Sequence, residues 1–93
     1  MHILIAERMV NMVKEVNVLL QTIDEAKRFV ETLTKFDGDF ELISGKYIVD
    51  AKSILGIFSV DLSKPTLLRL DVDDEKMDDA LKSLEAYRVK EAE

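Results

Sequence analysis

The stretch "VNVLLQTIDEAKRFVETLTKFDGDFELISGKYIVD", residues 16–50, decides the fold. Its opening places Val16, Val18 and Leu20 on one face, the two-residue period of a strand over 16–20. Thr22 and Glu25 then stand three apart, the spacing of a capping box in which each side chain satisfies the other's backbone N–H. From there Ile23, Ala26, Phe29, Val30 and Leu33 recur at helical spacing, which predicts a helix over 24–36 with that stripe buried. "FDGD" (36–39) stops it, with Gly38 near the C-terminal cap. Two short apolar runs, 40–44 and 46–50, meet at Ser44-Gly45 and read as a hairpin.

On the C-terminal side, "SILGIFSVDL" predicts a second helix over 53–62. Pro65 breaks the chain there, because proline drives the residue before it out of helical geometry. "TLLRLDV" (66–72) alternates Leu68, Leu70 and Val72 against Arg69 and Asp71, a fourth strand. "DDEKMDDALKSLEAYRV" (73–89) predicts the third helix, with acidic first turns that suit the helix dipole and a stripe of Met77, Ala80, Leu81 and Leu84. The order β-α-β-β-α-β-α makes the economical architecture an α+β open-faced sandwich: a four-stranded, mainly antiparallel sheet with three helices on one face. On the N-terminal side, "MHILIAERMVNM" (1–12) lacks this pattern. It is expected to be an extension ahead of a domain at 13–93, with a native start at Met9 or Met12, and with Ile3, Leu4 and Ile5 buried against the domain or a second copy.

Composition narrows the function classes. At 93 residues, 47% hydrophobic and 34% charged, the chain reads as one small globular domain. A domain of this size buries roughly 60–65% of its unfolded surface, so its stability margin is thin. It has no cysteine, which excludes disulfides, thiol catalysis and Cys-based metal sites. Its single histidine, His2, excludes a His-rich metal site. Thirteen basic residues are scattered among nineteen acidic ones, for a net charge of −6, and no basic run offers a footprint for nucleic acid. No apolar stretch is long enough for a membrane span, and "MHILIA" is too short for a signal-peptide core. These features favour the cytoplasm. The acidic run Asp71, Asp73, Asp74, Glu75, Asp78 and Asp79 lacks the glycine and terminal glutamate of an EF-hand loop and reads as a solvated helix start. No cofactor and no metal are expected.

The second helix departs from economy. Ile54, Leu55, Ile57, Phe58, Val60 and Leu62 fall within nine positions and, as a helix, would spread round most of its circumference. A helix lying on one sheet face buries only a stripe. Ile54, Leu55 and Phe58, beside Ser53, are therefore expected to be exposed as a docking surface, unless the N-terminal extension or a dimer partner covers them. Ser53 itself stands where a helix N-cap belongs.

"KSILGIFS" (52–59) resembles the second-helix motif of HPr, the histidine-containing phosphocarrier of the bacterial phosphoenolpyruvate:sugar phosphotransferase system, which in Gram-positive members reads Lys-Ser-Ile-Met-Gly-Val-Met-Ser. "TKFDGDFEL" (34–42) looks like the family's end of helix 1 and start of strand 2, with no gap between the two matches, and the resemblance covers about residues 13–89. It implies the HPr fold. It also exposes a departure. The family's phosphocarrier motif is Gly-(Ile/Leu)-His-(Ala/Thr)-Arg-Pro-Ala, and here Thr22 matches the histidine, Asp24 the arginine and Glu25 the proline. Phosphoryl transfer through that site needs an imidazole nucleophile and a cation to hold the phosphoryl group. Threonine and aspartate supply neither, so no catalytic residue is expected.

The resemblance further implies that Ser53 is the serine modified by a bifunctional HPr kinase/phosphorylase, and that Lys52, Ser53, Ile54, Leu55 and Phe58 form the partner-docking patch. The function so implied is a non-phosphocarrier regulatory or docking module. Its candidate partners are the HPr kinase/phosphorylase or a transcriptional regulator, with neither nucleic acid nor membrane. A working phosphocarrier with displaced chemistry, and a self-associating α+β module that dimerises through the second helix or the N-terminal extension, remain alternatives.

Overall fold

Residues 66–73 alternate without a break: Thr66, Leu68, Leu70 and Val72 are buried, while Leu67, Arg69, Asp71 and Asp73 are half-buried. A strand of that pattern needs a covered face and an open face. The computed structural model, which describes residues 10–89, provides both. β1 spans Asn11–Val18, α1 Ile23–Thr34, β2 Asp39–Ser44, β3 Tyr47–Asp50, α2 Ile54–Ile57, β4 Thr66–Asp73 and α3 Asp74–Ser83, and a 3-10 turn follows at Glu85–Tyr87. The sheet order is β1-β4-β2-β3, and every neighbouring pair is antiparallel. The architecture is the expected α+β sandwich, with the helices on one face.

The core lies between β4 and the helices. Phe29 and Leu33 of α1, Ile57 of α2 and Met77 of α3 meet Phe40, Leu42, Leu68 and Leu70 of the sheet, all of them buried. Each such side chain contributes about 1.5–3 kcal/mol relative to exposure. Tyr87 seals one end, its ring edge-on to Phe29 at 5.4 Å.

Four elements differ from the sequence reading. β1 starts at Asn11, not Val16, so residues 11 and 12 of the expected extension are its first two residues. Its first five residues are paired with β4 but all exposed, so no burial alternation marks them. The expectation for Ile3, Leu4 and Ile5 lies outside the described residues. α2 is one turn, Ile54–Ile57, rather than 53–62. The Ser59 hydroxyl donates to Gly56 O at 2.6 Å, and Ser59 N and Val60 N close three-residue turns instead of continuing the helix. Asp61 then accepts from the Ser63 hydroxyl at 2.6 Å and from Ser63 N at 3.0 Å, and the hydroxyl bond chiefly holds its carboxyl below the usual carboxylate range.

α3 ends at Ser83, not at 89. The residues after it are captured by β1: Leu19 N donates to Tyr87 O at 2.9 Å, Val89 N donates to Asn17 O at 3.0 Å, and Arg88 bridges Val18. Finally, Ile23 is 63% exposed, because the core packing of α1 begins only at Ala26.

The α1–β2 link passes so close to β4 that only glycine fits. Gly38 has φ +132°, and a Cβ there would meet Asp71 O at 2.6 Å and Val72 Cγ1 at 2.8 Å. Gly45, at the hairpin, has φ +60° and nothing within 4 Å. Gly38→Ala should therefore cost ~2 kcal/mol or more in urea unfolding, from clash and strain together. Gly45→Ala should cost only ~1 kcal/mol, from strain alone; equal losses would remove the close approach as the reason for Gly38.

Candidate functional site

Two helix starts carry the residues of interest. At the first, Thr22 is extended (φ −136°, ψ 162°) and caps α1, its Oγ1 accepting from Glu25 N at 3.0 Å. The return bond differs from the expected box. Glu25 Oε1 accepts the N–H of Gln21, the residue before the cap, at 2.7 Å. Thr22 O accepts from Ala26 N at 3.0 Å and starts the helical ladder. The threonine hydroxyl oxygen is thus engaged in holding the helix end. Asp24 and Glu25 fill the first turn, where the dipole stabilises carboxylates. Their charges repel a phosphoryl group, and no imidazole lies among the described residues.

One cation near this cap was not legible in the sequence. Arg88 was expected within the third helix, but its bridge to Val18 brings it to a hollow of about 180 Å³ lined also by Gln21 and Glu25. Only the capture of residues 87–89 by β1 puts it there.

At the second start, Ser53 (φ −107°, ψ 116°) caps α2, its Oγ accepting from Gly56 N at 3.1 Å. Two further bonds fix it in place: Ser53 N donates to Asp50 O at 3.0 Å, and Lys52 N donates to Asp50 Oδ1 at 2.9 Å. A Cβ on Gly56 would sit 3.4 Å from the Ser53 hydroxyl and 3.3 Å from Asp50 O, so glycine leaves room around that oxygen. Ser53 is half-buried, and the first turn of α2 contains no acidic residue.

The five residues expected to dock a partner divide. Leu55 is 80% exposed and Phe58 44% exposed. Ile54 is half-buried and packs partly on the core. Ile57, on the opposite side of the turn, is fully buried. Val60 and Leu62 lie beyond the helix, so the angular surplus counted over 53–62 shrinks to Leu55, Phe58 and the outer part of Ile54. Lys52 turns away from α2. Its ammonium donates to Phe36 O at 2.6 Å and stands 5.2 Å from the centre of the Phe40 ring. Phe36 lies just past the C-cap of α1, so Lys52 ties the α1–β2 link to the segment before α2.

Among the described residues no three His, Cys, Asp or Glu side chains are grouped to hold a metal ion, and no helix is long and apolar enough to cross a membrane.

These geometries separate cap from surface. Lys52→Met keeps the aliphatic stem and removes the charge, so it should lower the unfolding free energy by about 1–2 kcal/mol. Thr22→Ala should cost about 1 kcal/mol. Leu55→Ser should cost under ~0.5 kcal/mol, as exposed substitutions do. A Lys52→Met variant as stable as wild type in urea would show that the bond to Phe36 O contributes nothing.

Known proteins share this outline. Residues 22–88, from the α1 cap to the bridge at Arg88, match the PTS-HPr family, described as the PTS HPr component phosphorylation site. The matched stretch contains no histidine. No curated protein matches by sequence. Among solved structures, the chain is similar to the phosphocarrier protein HPr from Bacillus anthracis, at 27% identity and TM-score 0.63 over 86% of this chain and 99% of that one. It is similar to Crh, the Bacillus subtilis catabolite repression HPr, at 32% identity and TM-score 0.55 over 87% and 100%. It is also similar to HPr-C-His from Thermoanaerobacter tengcongensis, at 28% identity and TM-score 0.56 over 84% and 89%. HPr is a phosphocarrier that works through other proteins rather than a catalyst in its own right. The family match spans well over half of the chain and the solved structures share its fold, and the chain belongs to the HPr family of the phosphotransferase system.

Proposed function

We propose that this chain is a regulatory docking member of the HPr family that does not carry phosphate on histidine. It would work in the bacterial cytoplasm, with proteins of the phosphotransferase network as partners. The observation that carries the reading is the cap at Thr22. Where the family resemblance puts the imidazole, a hydroxyl oxygen holds the end of α1 and two carboxylates come after it. An imidazole nucleophile and a cation are what the carrier step requires. Arg88 offers a cation near the cap, but it comes without a nucleophile of suitable reactivity.

The regulatory half of the family pattern is better supported. Leu55 and Phe58 are large apolar side chains left open on a small acidic domain, which favours a protein partner over solvent. Ser53 adjoins them and caps a turn free of carboxylates. Phosphate on Ser53 would add roughly two negative charges at the border of that patch. It would change which partner fits without unfolding the core, since Ile57 alone of this turn is fully buried. An HPr kinase/phosphorylase is the candidate modifying enzyme. A transcriptional regulator is the candidate reader, in line with a catabolite repression HPr among the similar structures.

The test is paired. With HPr kinase and ATP, intact-mass measurement should show one added phosphate on the wild type and none on Ser53→Ala. With phosphoenolpyruvate and enzyme I, no phosphate should appear on any residue. A phosphoenolpyruvate-dependent adduct would overturn the non-carrier reading, and an unmodified wild type under the kinase would overturn the switch.

A further inference from the structure

The helix-free face of the sheet has a pattern of its own. Residues directly opposed in an antiparallel pair share a face, so the register sorts the outward side chains into rows across the strands. The first row is apolar: Ile48 of β3, Ile43 of β2 and Leu67 of β4, ending at Asn17 of β1. The second is charged: Asp50, Glu41, Arg69 and Glu15. Arg69 is shared between two acids, with Nε 3.2 Å from Glu15 Oε2 and Nη1 3.5 Å from Glu41 Oε1. The third pairs Asp39 with Asp71 and ends at Val13.

These rows hold five carboxylates against one guanidinium. Asp39 and Asp71 stand directly opposite each other, a destabilising arrangement in a sheet. Asp71 Oδ1 is buried without a hydrogen-bond partner. A hollow of about 290 Å³ at the β2–β3 edge is lined by Asp39, Glu41, Asp50 and Ile48 of this face together with Phe40 and Val49 of the other, and Ile48 is 58% exposed. Lys52 also reaches the hollow, but its ammonium is bonded to Phe36 O. Lys46 and Lys64 line a separate hollow with Ile43, Val60 and Asp61, between the hairpin and the segment after α2. The face is therefore polarised: an apolar row at one end, then two rows of net negative charge.

We infer that this face is a second docking surface, separate from α2, and that it takes a basic amphipathic helix of another protein. The rows are about 7 Å apart along the strands, two residues of rise. Three neighbouring strands span about 10 Å across. A helix laid across the strands, about 10 Å wide, sets its apolar stripe on Ile48, Ile43 and Leu67. Its Lys/Arg flank then lies over Glu41, Asp39, Asp50 and Asp71. The carboxylates are spread over two rows and three strands rather than gathered at one point, which suits ammonium or guanidinium groups.

The probe is an acetylated leucine–lysine amphipathic peptide of about 14 residues, long enough as a helix to cross the sheet. Added to the isotope-labelled full chain, it should shift amide NMR signals at Glu41, Ile43, Ile48, Leu67 and Arg69. Ile48→Thr, and separately Asp39→Asn with Asp71→Asn, should each weaken binding about tenfold. Leu55→Glu should leave it unchanged, which keeps this result independent of the α2 reading. A leucine–glutamate peptide of the same length should not bind. No saturable binding would overturn the inference. So would shifts confined to Asp74, Glu75, Asp78 and Asp79 of α3 or to α2.

Discussion

The structure depends on β4 entering between β1 and β2. It pairs with Asn11–Val18 on one side and with Asp39–Ile43 on the other, though it comes last of the strands in the chain. Its pairing with β1 brings together residues from Val18 and Thr66 to Asn11 and Asp73, roughly fifty to sixty positions apart. That closure is entropically costly and is offset by the buried row of β4, in which Leu68, Leu70 and Val72 are almost wholly removed from water. Gly38 marks how tight the fit is, since its backbone lies against Asp71 O where no side chain could. The position of every helix is then set, because each packs on the face that β4 and its neighbours present.

What could be read from the sequence was what is local. The cap at Thr22, the stripe Ala26, Phe29 and Leu33, the hairpin at Gly45 and the alternation of β4 all arise from spacing within a dozen residues. What could not be read has a distant cause. The first half of β1 exists because β4 supplies its ladder, so residues 11–15 show no buried alternation. Past α3 the chain does not go on as an α-helix, and Tyr87 O and Val89 N bond to Leu19 and Asn17, some seventy residues away. Lys52 stands in the motif next to Ser53, yet its ammonium serves a carbonyl sixteen residues earlier. A motif places a residue beside its neighbours; only the fold shows which neighbour it serves. For α2 the failure was one of length: a periodicity counted past Phe58 assumed a helix that the Ser59 hydroxyl helps to end.

The two capped helix starts show how one local device leads to opposite chemistry. Thr22 and Ser53 each accept the N–H three residues on, at 3.0 and 3.1 Å. The first turn of each helix makes the difference. After Thr22 come Asp24 and Glu25, which stabilise the helix through its dipole and repel a phosphoryl group. After Ser53 come Ile54 and Leu55, which carry no charge, and the nearby carboxylate of Asp50 already accepts from Lys52 N. Stability and phosphate chemistry compete at the first helix start and do not compete at the second.

The same strand that organises the core also makes the outer face free to vary. Leu68 and Leu70 point to the helices, while Arg69 and Asp71 point away. A change of charge on the outer row leaves the apolar side chains of the buried row as they are. The outer charged rows add little to stability. Exposed ion pairs such as Arg69 with Glu15 contribute about 0–1 kcal/mol, and the opposed pair Asp39 and Asp71 works against folding. A thin-margined domain that keeps unfavourable charge beside an apolar row has a reason outside its own folding. On this sheet, charge complementarity to a partner supplies one.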